Sequence, residues 1–219
     1  MNTTGIPRMT HLVTASKTQR LAAIGAFAAV AIILNRLVVI PAPFLPFLSY
    51  EVWEIPIVVA FLVFGIAVAI PAAFTNFLIL LLFPGVIFAG PLYNLIAILS
   101  MLLGMGIAKK LYTLKWTENF SRAVVISTAL GTISRVVVMT MVNASLLQLP
   151  PPLGFNAPAT LVYSWLPLIA LFNGTVSLYT VPLAYGALKT VVSRLRVSSN
   201  LTLSESKKSG SKTSDLHVI

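Results

Sequence analysis

Residues 55–83 read IPIVVAFLVFGIAVAIPAAFTNFLILLLF, an apolar run without a single charged side chain. One helix over this run would be about 43 Å long at 1.5 Å per residue, against a hydrocarbon layer of about 30 Å, and Pro71 would interrupt it. Two short helices turning near Gly65 are the alternative. The choice sets the direction of every later crossing.

Four further apolar stretches, at 21–40, 91–108, 123–147 and 161–188, have lengths that suit membrane helices. Only 9% of the 219 residues are charged and 58% are hydrophobic. Soluble domains carry roughly 25% charged residues, so the chain reads as a polytopic membrane protein. The net charge of +10 does not point to nucleic acid, because the Lys and Arg residues collect in tails and connections and report orientation instead. Without cysteine there is no disulfide framework, thiolate chemistry or cysteine-ligated metal. The first apolar segment follows Arg8, Lys17 and Arg20 as a signal sequence would. It exceeds a usual signal core and lacks a clear cleavage site, so it is read as retained.

Basic residues gather on the cytoplasmic side of short loops. If 55–83 is two short helices, three basic clusters share one side: Arg8, Lys17 and Arg20; Lys109, Lys110, Lys115 and Arg122; and the run from Lys189 through Arg196 to Lys212. The connections 41–50, 84–90 and 148–160, on the other side, then contain neither Lys nor Arg. One long helix would place the first cluster opposite the other two. The expected architecture is therefore an all-α membrane bundle of six transmembrane helices, the second and third short, with both termini cytoplasmic. Residues 1–19 form a cytoplasmic N-terminal segment, 20–190 the six-helix domain, and 191–219 a basic, serine-rich tail read as disordered.

The outer connections PAPFLPFLSY (41–50) and LPPPLGFNAP (149–158) are stiffened by proline into extended or turn geometry. They either lie in the interface or cover a cavity. Both histidines, His11 and His217, fall in the tails, so no metal or nucleophilic set can gather in the bundle. No phosphate-binding G-x-x-x-x-G-K-[ST] loop occurs, and no Asp or Glu sits near the bilayer centre. The chain reads as a non-enzyme without a cofactor or an energy source of its own.

Arg135 lies about 20 Å beyond Arg122 along a helix, deep enough to require a partner, a wet cavity or a ligand. An ion pair with Glu51 or Glu54 and a contact to ligand are both open. Arg36 is nearer the outer interface, where its head can reach water. Asn76, Asn94, Asn143 and Asn173 sit in four different apolar segments, either as interhelical hydrogen-bond formers or as pocket groups. Phe44, Phe47, Tyr50, Trp53, Tyr93 and Trp165 either anchor the interface or stack on a flat ligand. Ala22, Gly25, Ala26 and Ala29 form small-x-x-x-small pairs that permit close approach of another helix.

Several of these stretches together resemble a known family. Tyr50-Glu-Val-Trp-Glu-Ile-Pro56 followed by Ala60-Phe-Leu-Val-Phe-Gly65 resembles the acidic-x-x-acidic-Ile-Pro entry and Phe-x-Phe-Gly end of the short second helix in the substrate-binding S component of energy-coupling factor (ECF) vitamin transporters, most closely the riboflavin type. The run 76–85, Gly90-Pro-Leu-Tyr-Asn94, and Val138-Met-Thr-Met-Val-Asn143 with Leu149-Pro150 are similar to later parts of that family, over roughly residues 18–190. Asn173-Gly174 stands where riboflavin-type members often carry lysine before glycine, which leaves thiamine or its pyrimidine precursor as an alternative ligand.

The resemblance implies a prokaryotic cell-membrane protein that takes a vitamin, foremost riboflavin, from outside and works with a transmembrane coupling (T) subunit and two ATP-binding subunits. Glu51, Glu54, Asn76, Asn94, Arg135, Asn143, Asn173, Phe47 and Tyr93 are then the candidate substrate contacts. The face formed by Ala22, Gly25, Ala26 and Ala29 is the candidate docking surface. A standalone small-solute facilitator and a scaffold protein are the competing classes.

The parity argument is checked by single cysteines at positions 115, 154 and 198, probed with an impermeant thiol reagent on intact cells. Labelling is expected at 154 alone; labelling at 115 or 198 instead would reverse the orientation.

Overall fold

The computed structural model describes residues 16–45, 47–83, 86–115 and 120–214. Arg8, both histidines and the last five residues of the expected tail lie outside the described residues. Six helices and one small hairpin follow in order: α1 (Lys17–Leu37), β1 (Val39–Pro41), β2 (Ser49–Glu51), α2 (Glu54–Phe64), α3 (Ile66–Leu80), α4 (Ala89–Lys115), α5 (Phe120–Leu146) and α6 (Ala159–Ser214).

The decisive stretch divides at Gly65, which adopts φ +76°, a region open to glycine and costly for other residues. Its N–H closes α2 on the Phe61 carbonyl at 2.9 Å, and its own carbonyl accepts from Ala69 at 3.2 Å to open α3. Gly65 alone separates the two helices. Pro71 does not break the chain; it sits inside α3. With 11 and 15 residues, α2 and α3 are about 16 and 22 Å long, each short of the ~30 Å hydrocarbon layer. Among the described residues, four helical segments are long and apolar enough to cross a membrane: Lys17–Leu37, Ala89–Leu111, Phe120–Leu146 and Ala159–Val191. The chain is a multi-pass, all-α membrane protein.

Helix α1 begins at Lys17 because Ser16 caps it. The Ser16 hydroxyl accepts from the Gln19 N–H at 3.2 Å, while the Gln19 side chain accepts from the Ser16 N–H at 2.9 Å. Its buried side is Ala28, Ala31 and Asn35. The small residues Ala22, Gly25, Ala26 and Ala29 are exposed along another side of the helix.

Helices α4, α5 and α6 pack antiparallel. Ser134 Oγ donates to the Ser100 carbonyl at 2.7 Å across α4 and α5, and the Ser127 and Tyr185 hydroxyls meet at 2.9 Å across α5 and α6. The buried residues of α5 recur every fourth position: Ala123, Ser127, Gly131, Arg135, Met139 and Asn143. At 100° per residue this stripe drifts about 40° per step around the helix. Gly131 consequently faces Met101 and Met105 of α4, while Arg135 turns toward α2 and α6. These contacts gather Lys109, Lys110, Arg122 and Lys189 at one end of the bundle.

The first proline-rich connection forms an antiparallel hairpin with Val39 opposite Glu51, Ile40 opposite Tyr50 and Pro41 opposite Ser49. Leu45 and Ala42 near its tip are buried against α6 and the segment between α5 and α6. The connection therefore covers the outer end of the bundle. At the other end, α6 continues to Ser214, whereas the polar composition of 191–219 predicts disorder. No proline follows Pro182, so nothing in the backbone stops the hydrogen-bond ladder once α6 has left the bundle.

The α4–α5 contact depends on Gly104, where an added methyl would collide with the Leu130 carbonyl. Gly104→Ala is expected to lower stability by about 1–3 kcal/mol, as overpacking does. Gly106→Ala, whose added methyl meets open space, should be neutral or stabilising by up to about 1 kcal/mol. Thermal unfolding of both variants in detergent checks the contrast.

Candidate functional site

Glu54, the first residue of α2, is 3% exposed, its carboxylate in the first turn where the helix dipole favours negative charge. Arg135 reaches it from α5 with Nη1 donating to Glu54 Oε2, both side chains almost fully buried. The Nε of Arg135 donates to Asn173 Oδ1 on α6 at 3.0 Å, and Asn173 Nδ2 donates to the Ile169 carbonyl at 2.9 Å. Three helices are thus joined through one guanidinium. Counted from Arg122 and Lys189 at the inner end, Arg135 and Asn173 lie about 20 and 24 Å deep, in the outer half of the bundle.

Glu51 closes the hairpin directly above this set. Its backbone carbonyl accepts from the Tyr179 hydroxyl, and its side chain accepts from Asn35 Nδ2 at 3.4 Å. Burial pushes the Glu51 carboxyl up to about 7, with the neighbouring Glu54 charge adding to the rise; a hydrogen bond with Trp53 and the charge of Arg36 oppose it. Beside it the Tyr50 hydroxyl shares a hydrogen bond with Thr175 at 3.1 Å, and the Tyr50 ring packs on Phe172 with centroids 4.9 Å apart.

Of the residues singled out in the sequence, Glu54, Arg135 and Asn173 meet directly, and Glu51 adjoins them. The ion pair left open for Arg135 is present, with Glu54 as its acid. Phe47 and Tyr93 stand at the outer rim. Phe47 stacks on Trp165 with centroids 5.1 Å apart, and the Tyr93 hydroxyl donates to the Leu153 carbonyl at 3.0 Å. Asn143 bonds its own helix, Nδ2 to the Met139 carbonyl at 2.7 Å. Asn76 is buried on α3 with Oδ1 unpartnered among the described residues, and Asn94 lines a separate outer cleft. Sequence reading passed over Asn35, Thr175 and Tyr179. None of the three belongs to a motif in the sequence. Among the described residues no group of three or more His, Asp or Glu could hold a metal ion.

The Glu54 and Arg135 charges cancel, and Asn173, whose Oδ1 accepts one bond and whose Nδ2 donates one, keeps a second N–H and a second lone pair. Arg135→Gln would leave Glu54 buried without its cation. The ligand-free variant should lose about 3–5 kcal/mol of stability, and Glu54→Gln with Arg135→Gln should recover most of it. Thermal denaturation of the wild type and both variants measures this, and an unchanged midpoint in the single variant would count against the pair.

No protein-family model matches the chain, and no curated protein does. Among solved structures, the S component of a bacterial ECF transporter is similar, with a TM-score of 0.60 and 21% sequence identity over 83% of this chain and 97% of that one. At this identity the likeness speaks for the fold: this chain has the fold of that S component, a six-helix membrane bundle.

Proposed function

We propose that the chain is the membrane-embedded, substrate-binding S component of an ECF-type transporter for vitamin uptake in a prokaryotic cell membrane. The observation that carries this reading is the buried Glu54–Arg135–Asn173 set beneath the hairpin, in a fold shared with an S component. Polar groups at this depth are costly in lipid and mark ligand pathways. The absence of a phosphate-binding loop fits a chain powered by two partner ATPases through a coupling subunit.

Riboflavin or a related flavin is the leading ligand. Support comes from the acidic-x-x-acidic-Ile-Pro and Phe-x-Phe-Gly block and from the aromatic residues near the set: Tyr50 packed at a tilt on Phe172, Trp53 buried next to Glu54, and Phe47 against Trp165 at the rim. Polar groups framed by aromatic rings are the surroundings that a flat, polar-edged molecule would require. Glu51, Glu54, Arg135 and Asn173 would contact it first, with Asn76, Asn94, Asn143, Phe47 and Tyr93 as outer candidates.

Riboflavin added to the detergent-solubilised protein should be quenched saturably without ATP. If thiamine or its pyrimidine precursor saturates the site and riboflavin does not, the flavin assignment fails and the S-component reading stands. If no vitamin binds, the reading itself fails.

The exposed face of Ala22, Gly25, Ala26 and Ala29 supports α1 as the surface that meets the coupling subunit, because small side chains allow close helix approach. Ala22→Leu, Ala26→Leu and Ala29→Leu together should prevent co-purification with that subunit while riboflavin affinity is retained. Loss of ligand binding with the complex intact would falsify the assignment of this face.

A further inference from the structure

A cleft of about 150 Å³ opens where the outer ends of α1, α3 and α4 meet, lined by Asn35, Arg36, Leu80, Val86, Gly90, Pro91 and Asn94. None of the Glu54–Arg135–Asn173 set lines it. Arg36 lies 19 residues beyond Lys17, about 28 Å along α1 at 1.5 Å per residue. With Lys17 at the inner surface, that rise carries Arg36 across a hydrocarbon layer of about 30 Å to the outer headgroups.

Its guanidinium stacks 4.0 Å above the Phe83 ring and forms no ion pair among the described residues. The stack fixes the group; its charge also reaches the Glu51 carboxyl, and its N–H donors have no hydrogen-bond partner among the described residues. Asn35 is 8% exposed and gives its Nδ2 to Glu51, while its Oδ1 takes no hydrogen bond among the described residues. The half-buried Asn94 amide likewise has no partner among them. The cleft thus presents a fixed cation, an accessible amide oxygen on an otherwise buried Asn35, and a second amide without a partner among the described residues. Around it the outward-facing Ile33, Leu37, Leu82 and Ile87 are all more than half exposed, a surface suited to acyl chains.

We infer that this cleft holds the headgroup of an anionic glycerophospholipid of the outer leaflet, its phosphodiester on Arg36 and its headgroup hydroxyls on Asn35 and Asn94. A fixed guanidinium selects a phosphodiester, and an unpartnered carbonyl acceptor selects hydroxyl donors over a choline group, which has none. A lipid held here ties together the outer ends of α1, α3 and α4.

The test uses the full chain in a neutral detergent, titrated with dihexanoyl phosphatidylglycerol, dihexanoyl phosphatidylcholine or inorganic phosphate while the melting temperature is followed. Phosphatidylglycerol should raise it saturably. Arg36→Gln should shift the half-saturating concentration up by about tenfold or more, as expected for the loss of a charge-assisted contact, and Arg36→Lys should retain most of the effect. Gly90→Leu, whose added side chain enters open space, should remove the effect by filling the cleft, and it keeps the test intact should Arg36→Gln fail to fold. Equal stabilisation by phosphatidylcholine, an equal response to inorganic phosphate, or an undiminished response in Gly90→Leu would each overturn the proposal. None of these outcomes depends on which vitamin, if any, the protein binds.

Discussion

Burial of the Arg135 charge governs the arrangement of the bundle. A guanidinium so far from either surface persists only with partners for its charge, and it has them from two directions at once: the carboxylate at the start of α2 and the amide midway along α6. Each partner carries a requirement of its own. Glu54 can be at that depth only if α2 starts well inside the outer surface. That in turn requires a short α2, an immediate return through α3 and something other than helix above α2. The hairpin occupies that space. Shortness, turn and hairpin are three consequences of one buried charge pair.

Much of this was legible in the chain. The excessive length of 55–83, the single glycine within it and the distribution of lysine and arginine led to two short helices, and the backbone at Gly65 has the positive φ that the turn needs. Arg135 stood out because insertion energetics makes an interior arginine conspicuous in any apolar run. The hairpin was not legible. Strands of three residues are too short to show an alternating pattern, and the prolines between them pointed only to stiffness. Its pairing depends on contacts with α6, more than a hundred residues away. The extension of α6 escaped for the opposite reason: composition argued for disorder, while the local backbone contained no stop.

The asparagines show how far residue type carries an argument. Five of them sit in or at the ends of apolar helices, and chemically they are interchangeable in a sequence. Their positions separate them: Asn173 joins the charge pair, Asn143 turns back on its own helix, Asn35 holds Glu51, Asn94 opens to a cleft, and Asn76 keeps a buried oxygen without a partner among the described residues. The fourfold spacing of the α5 stripe supplies the missing information, since its drift decides which side chains face α4 and which reach α2 and α6.

The hairpin also acts on the bilayer. A two-stranded sheet leaves the outer edge of each strand unpaired, and Val39 and Ile40 of β1 are exposed. Unpaired backbone groups are not tolerated against hydrocarbon, so β1 must lie among headgroups and water. Because β1 follows α1 after one residue, it works as a depth gauge that stops α1 from sliding outward or sinking. The protein is thereby given a fixed vertical register in the membrane.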